Sequence, residues 1–338
     1  MSPIAEPRSR DTEGRSPALK VTDLRVVVGR GRRRVTAVAG VSFSIFPGET
    51  LGLVGESGCG KTTTARAIVQ LEDIASGSVV VDGIDLGELD RGSLRLLRRR
   101  VQMIFQDPIS SLNPRRRVRD IVAEPLNIWN IGSKSDREET VVRLLDAVGM
   151  DPESTLDRRP GEFSGGQCQR ISIARALAIS PNLLVCDEIV SALDVSVQAQ
   201  IINLLEDIKA EFGLTVLFIA HDLAVVKAIS DRIAVMYLGR ICEIGPSDTI
   251  CGEPAHPYTN ALMASAAPTS LDTAPKTTRL PGEPPNLLNP PQGCRFSNRC
   301  PRAKDRCHIE EPQLSECGKD HLVACHFPTL AKTDDLRS

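Results

Sequence analysis

Short apolar runs alternate with stretches of helical periodicity from Leu19 to about Ala267, and that alternation predicts α/β construction. Three runs organise the pattern: Thr50–Val54 (TLGLV), Leu183–Cys186 (LLVC) and Thr215–Ala220 (TVLFIA). None alternates with polar positions, so each predicts a strand buried on both faces of a parallel sheet. Each is followed at once by polar groups able to do chemistry: a Gly-rich loop, Asp187-Glu188, and His221. Ligands of open α/β sheets bind beyond the carboxyl ends of the strands, so these three edges are expected to converge on one site. Helical pattern follows over Thr63–Leu71. It returns over Cys168–Ile179, with Ile171, Ala174, Leu177 and Ala178 on one face. A proline-dense linker, Pro268–Gln292, excludes a packed helix there. Beyond it lies a small Cys-rich module, Gly293 to about Pro328, and then a polar tail over 329–338. At the other end, Met1–Ala18 is expected to be a disordered arm.

Composition narrows the function classes. A chain of 338 residues has room for about two domains. Aromatics are only 3% of it, which argues against a platform that stacks nucleic-acid bases. The net charge of −2 provides no global field toward DNA or anionic lipid. No apolar stretch approaches membrane-spanning length, and the polar segment Met1–Pro17 predicts no secretory signal. The expected compartment is the cytosol, where the ten cysteines would be reduced thiols or metal ligands.

The first chemical motif is Gly55-Glu56-Ser57-Gly58-Cys59-Gly60-Lys61-Thr62, which fits G-x-x-x-x-G-K-[ST] at every fixed position. It follows a strand pattern and precedes a helical one, as a phosphate loop must. Its glycines let backbone N–H groups turn inward around phosphate oxygens, and the helix N-terminus adds positive potential. Lys61 is expected to neutralise β/γ charge, the Thr62 hydroxyl to ligate Mg²⁺, and Thr63 to complete the nucleotide contact. Asp187 ends an apolar strand and is placed to hold Mg²⁺, directly or through water. Glu188 is placed to polarise the attacking water as general base. Ser164-Gly165-Gly166-Gln167 opens the second helical run, with Ser164 able to cap it and the glycines open to an anion. No Asn-Lys-x-Asp sequence, the usual reader of guanine, occurs in the chain.

With these motifs in place, the chain resembles the nucleotide-binding subunit of an ATP-binding cassette (ABC) transporter over about Leu19–Gly245. The resemblance rests on the phosphate loop, on Phe163-Ser-Gly-Gly-Gln167 as signature motif, on Gln106 of Ile104-Phe-Gln-Asp as Q-loop, on Ser191-Ala-Leu-Asp194 as D-loop and on His221 as switch histidine. It implies an α/β P-loop NTPase cassette: a mixed-sheet core, a helical insert over about 107–160, and a small Cys-rich C-terminal extension. It implies ATP and Mg²⁺ as ligands, with Gln106 a catalytic residue that joins Thr62 and Asp187 in holding the metal, and His221 sensing the γ-phosphate. Two cassettes would close head to tail, so that Ser164–Gln167 and Asp194 of one meet the ATP on the other. Two departures stand out. Val28 occupies the place where an aromatic residue usually stacks on adenine, and Ile189 follows Glu188 where proline is usual.

Within the ABC group, Phe105-Gln-Asp-Pro-Ile-Ser-Ser-Leu-Asn-Pro114, Ser191–Gln198 and His256-Pro-Tyr-Thr259 resemble the ATP-binding subunits of dipeptide and oligopeptide importers. That implies an ATPase at the cytoplasmic face of the bacterial inner membrane. Its partners would be a second cassette subunit, two permease subunits and an extracytoplasmic solute-binding protein, with no nucleic acid. Relatives that import nickel or other small solutes remain an alternative. A soluble ABC ATPase acting on ribosomes or nucleic acid is the alternative of another class. Five cysteines crowd the C-terminal module. Resemblance to cluster-bearing importer subunits implies a [4Fe–4S] cluster on Cys294, Cys300, Cys307 and Cys325, with zinc or unligated thiols as the other readings and Cys317 as the spare.

Overall fold

The structure is a computed structural model, and it describes residues 15–29, 31, 34–266 and 287–329. Most of the expected N-terminal arm, the linker up to residue 286 and the tail beyond Thr329 lie outside the described residues. Elements are numbered in chain order. The antiparallel strands β1 (Leu19–Val28) and β2 (Val35–Ile45) join β4 (Ser76–Val81) and the short β5 (Ile84–Asp85) in a four-stranded sheet of order β2-β1-β4-β5.

The central sheet has eight strands. Its parallel portion runs β6 (Val101–Ile104), β7 (Leu183–Asp187), β8 (Thr215–Ala220), β3 (Thr50–Val54), β9 (Arg232–Tyr237). Strands β10 (Arg240–Pro246), β12 (His321–Val323) and β11 (Ser315–Gly318) continue it antiparallel. The three apolar runs are β3, β7 and β8, and every residue in them is buried. Their side chains alternate between two cores. Leu51, Leu53, Leu183, Val185, Leu217 and Ile219 face one, while Leu184, Cys186, Val216 and Phe218 face the other. The register pairs Val54 with Ala220 and Asp187 with Ile219. Gly55, Glu188 and His221 therefore leave the sheet at the same edge.

The insert expected over about 107–160 is helical throughout its ordered elements. It comprises α3 (Pro108–Ser111), α4 (Val118–Trp129), α5 (Lys134–Ala147) and α6 (Pro152–Thr155). These pack on α7 (Gly165–Leu177), whose buried side joins Val118, Ile121, Leu144 and Leu145 in one core. Ser133 and Asp136 form a capping box that starts α5, and Asn130 ends α4 in the left-handed conformation. Arginines cluster at 95–100 and 115–119, and several of them are engaged. Arg95 and Arg99 lie over the Trp129 ring at 5.2 and 5.4 Å, Arg117 and Arg119 bond Asp157, and Arg116 bonds Glu124.

The C-terminal module adds what periodicity did not forecast. Through β12 on β10 it extends the central sheet, with Glu243 opposite Val323 and Ile244 opposite Leu322. Glu243 is buried and accepts from the backbone N–H of Ala255 at 2.6 Å and of His256 at 3.0 Å; its carboxylate also meets His321 Nε2 at 2.7 Å. One buried carboxylate thus ties the start of α11 (Pro257–Ala266) to the module. No helix among the described residues is long and apolar enough to cross a membrane.

Candidate functional site

The phosphate loop is built around two glycines that nothing else could replace. A Cβ on Gly55 would sit 2.1 Å from the Met236 carbonyl oxygen, and one on Gly60 would sit 2.4 Å from that of Ala37. Gly60 also has φ of +110°, in the region that favours glycine, and it precedes α1 (Lys61–Ile68). The turn aims the first N–H groups of that helix at the sheet edge. Cys59 is buried, and burial pushes its thiol up, which fits a small packing residue rather than a thiolate.

Four of the expected residues gather around the loop. Lys61 is buried, with Nζ donating to the carbonyls of Gly55 at 2.8 Å and Glu56 at 3.1 Å, and standing 3.6 Å from Glu188 Oε1. The Thr62 hydroxyl donates to Asp187 Oδ1 at 2.9 Å. Burial raises the Asp187 carboxyl, opposed by that hydrogen bond; adjacent Glu188 raises it further, while Arg66 and Lys61 lower it. A hydroxyl and a carboxylate at this spacing are the oxygen donors a magnesium ion takes from protein, so the residues fit the expected metal.

Glu188 is the centre of the other half. Its Oε2 accepts from Gln106 Nε2 at 3.1 Å and lies 3.9 Å from His221 Nδ1. The backbone there is left-handed, with φ of 49°, and the Glu188 N–H continues the ladder to Ile219 at 2.9 Å. Proline is absent at the next position, yet the turn is held. Ile189 and Val190 are buried in the core, and the Ser191 hydroxyl donates to the Glu188 carbonyl at 2.8 Å. The Val28 departure is borne on a half-buried valine at the end of β1.

Ser164 and Gln167 form a reciprocal capping box on α7: Ser164 N–H donates to Gln167 Oε1 at 3.0 Å, and Gln167 N–H donates to Ser164 Oγ at 3.3 Å. Both are exposed, as is Asp194 at the start of α8 (Val195–Phe212). Gly166 is needed because a Cβ there would meet Val197 at 2.6 Å. A cleft of about 690 Å³ opens beside Thr62, Asp187 and Gln106 and runs along the helical insert to Trp129.

The sulfur expectation fares differently. Cys294, Cys300, Cys307 and Cys325 do line one void, together with His326, while Cys317 does not. That void holds only about 10 Å³, and among the described residues no group of three or more His, Cys, Asp and Glu side chains is placed to hold a metal ion. Burial pushes the Cys294 thiol up to about 11 and also raises Cys300 and Cys325. The structure gathers the four thiols but does not arrange a ligand set.

Two contacts to the loop were not legible as motifs. Arg299 of the C-terminal module pairs with Glu56, and Tyr258 Oη accepts the Glu56 N–H at 2.8 Å. The sequence offered only His256-Pro-Tyr-Thr259 as a recognisable string, with nothing to aim it at the loop.

Comparison with known proteins agrees with this geometry. Residues 38–191 match the model of the ABC transporter family, and residues 242–307 match that of the oligopeptide/dipeptide transporter C-terminal region. A protein of Sinorhizobium fredii named probable peptide ABC transporter ATP-binding protein y4tS is 52% identical over 292 residues, 86% of this chain and 82% of its own. The oligopeptide transport ATP-binding protein AppF of Bacillus subtilis is 50% identical over 296 residues, 87% of this chain and 90% of its own. Among solved structures, the cassette MJ0796, seen as a dimer in a post-hydrolysis state with ADP and Pi, superposes with a TM-score of 0.62 at 29% identity. The match covers 68% of this chain and 98% of that one.

Proposed function

From the premise that this chain belongs to the ABC transporter family, we propose that it is the ATP-hydrolysing subunit of a peptide importer. The observation that carries the hydrolytic part is the meeting of Lys61, Thr62, Asp187, Glu188, Gln106 and His221 at one sheet edge, drawn from four separate segments. The peptide part is supported by the C-terminal family match over 242–307 and by relatives named for peptide or oligopeptide transport.

The proposed division of labour follows from the distances. Loop amides and Lys61 take the β- and γ-phosphate oxygens, and Lys61 exchanges two backbone carbonyls for them. Thr62 and Asp187 would hold Mg²⁺, which supplies charge neutralisation on the β/γ bridge. Glu188 orients and polarises the attacking water, with Lys61 Nζ 3.6 Å from its carboxylate. Gln106 reaches Glu188 on one side and lines the cleft to the helical insert on the other, so it can report the state of the site to that cleft. His221 is over half exposed at the sheet edge, free to meet a γ-phosphate. The exposed cap Ser164–Gln167 and Asp194 are surfaces for a second cassette, and the cleft ending at Trp129 is a seat for a permease. On this reading the assembly sits at the cytoplasmic face of the inner membrane, with a solute-binding protein outside.

The test is reconstitution of the full chain with the permeases, partner cassette and binding protein of a peptide importer from the same organism. Peptide-stimulated ATP hydrolysis and uptake of labelled peptide into vesicles are expected, and both are expected to vanish with Lys61→Ala. Hydrolysis stimulated by another solute but not by peptides would refute the substrate class, and no hydrolysis at all would refute the site.

A further inference from the structure

Glu56 brings a carboxylate into a loop whose task, on the reading above, is to present donors to a triphosphate. A free carboxylate at that place would repel the ligand. The structure covers it from outside the nucleotide-binding core. Arg299 Nη1 donates to Glu56 Oε2 at 2.8 Å and Nη2 donates to Oε1 at 3.1 Å, a two-pronged pair across 243 residues of sequence. The Arg299 side chain is only 6% exposed and that of Glu56 25%, so the pair is largely withdrawn from water.

The guanidinium is itself held. Its Nη1 also donates to Tyr237 Oη at 3.3 Å. The rings of Tyr237, Tyr258 and Phe296 pack together with centroids 4.6 to 5.4 Å apart. Phe296 is buried, and its carbonyl accepts the Arg299 N–H at 3.0 Å, so the turn bearing Arg299 is wedged into the aromatic cluster. From the same cluster Tyr258 Oη takes the Glu56 N–H. Both ends of Glu56, side chain and backbone, are thus bound by groups that follow the cassette's last motif in the chain.

We propose that Arg299 is a positioning residue of the nucleotide site: it pins and neutralises Glu56, so that the loop offers ATP its amides and Lys61 and no free carboxylate. The inference rests on the reading of Gly55–Thr62 as the phosphate loop. Its consequence is that the C-terminal module is a working part of the nucleotide site. Losing Arg299 leaves a partly buried, unpaired carboxylate in the loop that receives the phosphates. A purely structural role and this electrostatic one differ in a single respect. Removing the charge of Glu56 as well repairs an electrostatic fault and cannot repair a lost wedge.

The experiment titrates Mg-ATP into the full-length chain and its variants, with thermal melts alongside. Arg299→Ala is expected to weaken ATP binding about tenfold or more. The double variant Arg299→Ala/Glu56→Gln is expected to return to within about threefold of the parent. Arg306→Ala, which breaks only the exposed Arg306–Glu310 pair of the same module, is expected to bind like the parent. Unchanged affinity in Arg299→Ala, or a loss that persists in the double variant, overturns the proposal. Should Arg299→Ala not fold, Arg299→Lys replaces it: the charge stays and the fork is lost, and a weakening of about two- to fivefold must again be relieved by Glu56→Gln. Lys61→Ala keeps the two claims apart. If the parent binds ATP and Lys61→Ala binds equally well, the phosphate-loop reading fails; if only the Arg299 series is flat, this inference alone fails.

Discussion

Replacing Glu188 by glutamine isolates the chemical step from nucleotide binding. The amide keeps the length of the side chain and an oxygen able to accept from Gln106 Nε2, now at 3.1 Å. It removes the charge that stands 3.6 Å from Lys61 Nζ and 3.9 Å from His221 Nδ1. At an effective dielectric of about 20, the Lys61–Glu188 attraction has a ceiling of about 4–5 kcal/mol, so Lys61 becomes easier to recruit to phosphate once the charge is gone. A positioned general base contributes about 10²- to 10⁴-fold to a proton-transfer step, or about 3–5 kcal/mol of barrier. Glu188→Gln is therefore expected to lower kcat for ATP hydrolysis by that factor, while ATP affinity stays equal or improves. With hydrolysis blocked, the variant should accumulate as a dimer in ATP. Single-turnover hydrolysis, an ATP titration and light scattering with and without ATP read the three quantities. A kcat within about fivefold of the parent would refute Glu188 as the group that activates water.

Two further expectations concern stability. Gly60→Ala forces an alanine to φ of +110° and puts its Cβ 2.4 Å from the Ala37 carbonyl oxygen; a loss of about 1–3 kcal/mol in thermal or denaturant unfolding, together with weakened ATP binding, is expected. His256 is buried and its Nδ1 accepts the Tyr258 N–H at 3.0 Å, while burial pushes its pKa down from 6.5 to about 4, against the opposing pull of Glu243. Because the folded-state value is depressed, the unfolded chain binds the proton first. This contribution is whole above about pH 6.5 and is lost as pH falls toward 4, by up to about 3 kcal/mol. Unfolding midpoints measured from pH 7.5 to pH 5 should fall in the parent and fall less in His256→Asn, whose amide oxygen can still accept that N–H; parallel curves would contradict this.

The parts of this protein that chemistry writes into contiguous strings were legible before any fold was known. The three apolar runs announced β3, β7 and β8 because a strand buried on both faces has no polar position to spare. The phosphate loop and the Ser164–Gln167 cap were legible because their backbone geometry depends on glycines and hydroxyls at fixed short spacing. The departure at Ile189 shows the limit of such strings. Proline is missing there, yet burial of Ile189 and Val190 holds Glu188 in place through packing that no local pattern encodes.

Tertiary structure alone decided the rest. That Gly55, Glu188 and His221 share one edge was expected from the strand ends, but the distances of Glu188 to Lys61, Gln106 and His221 exist only once those strands are aligned in register. The four thiols of the C-terminal module share a void, yet spacing could not say whether their side chains would close into a ligand set, and they do not. The Arg299–Glu56 pair was the least legible of all. Local periodicity constrains only near neighbours, whereas this contact depends on where the chain re-enters the fold after its proline-rich stretch, when β12 docks on β10.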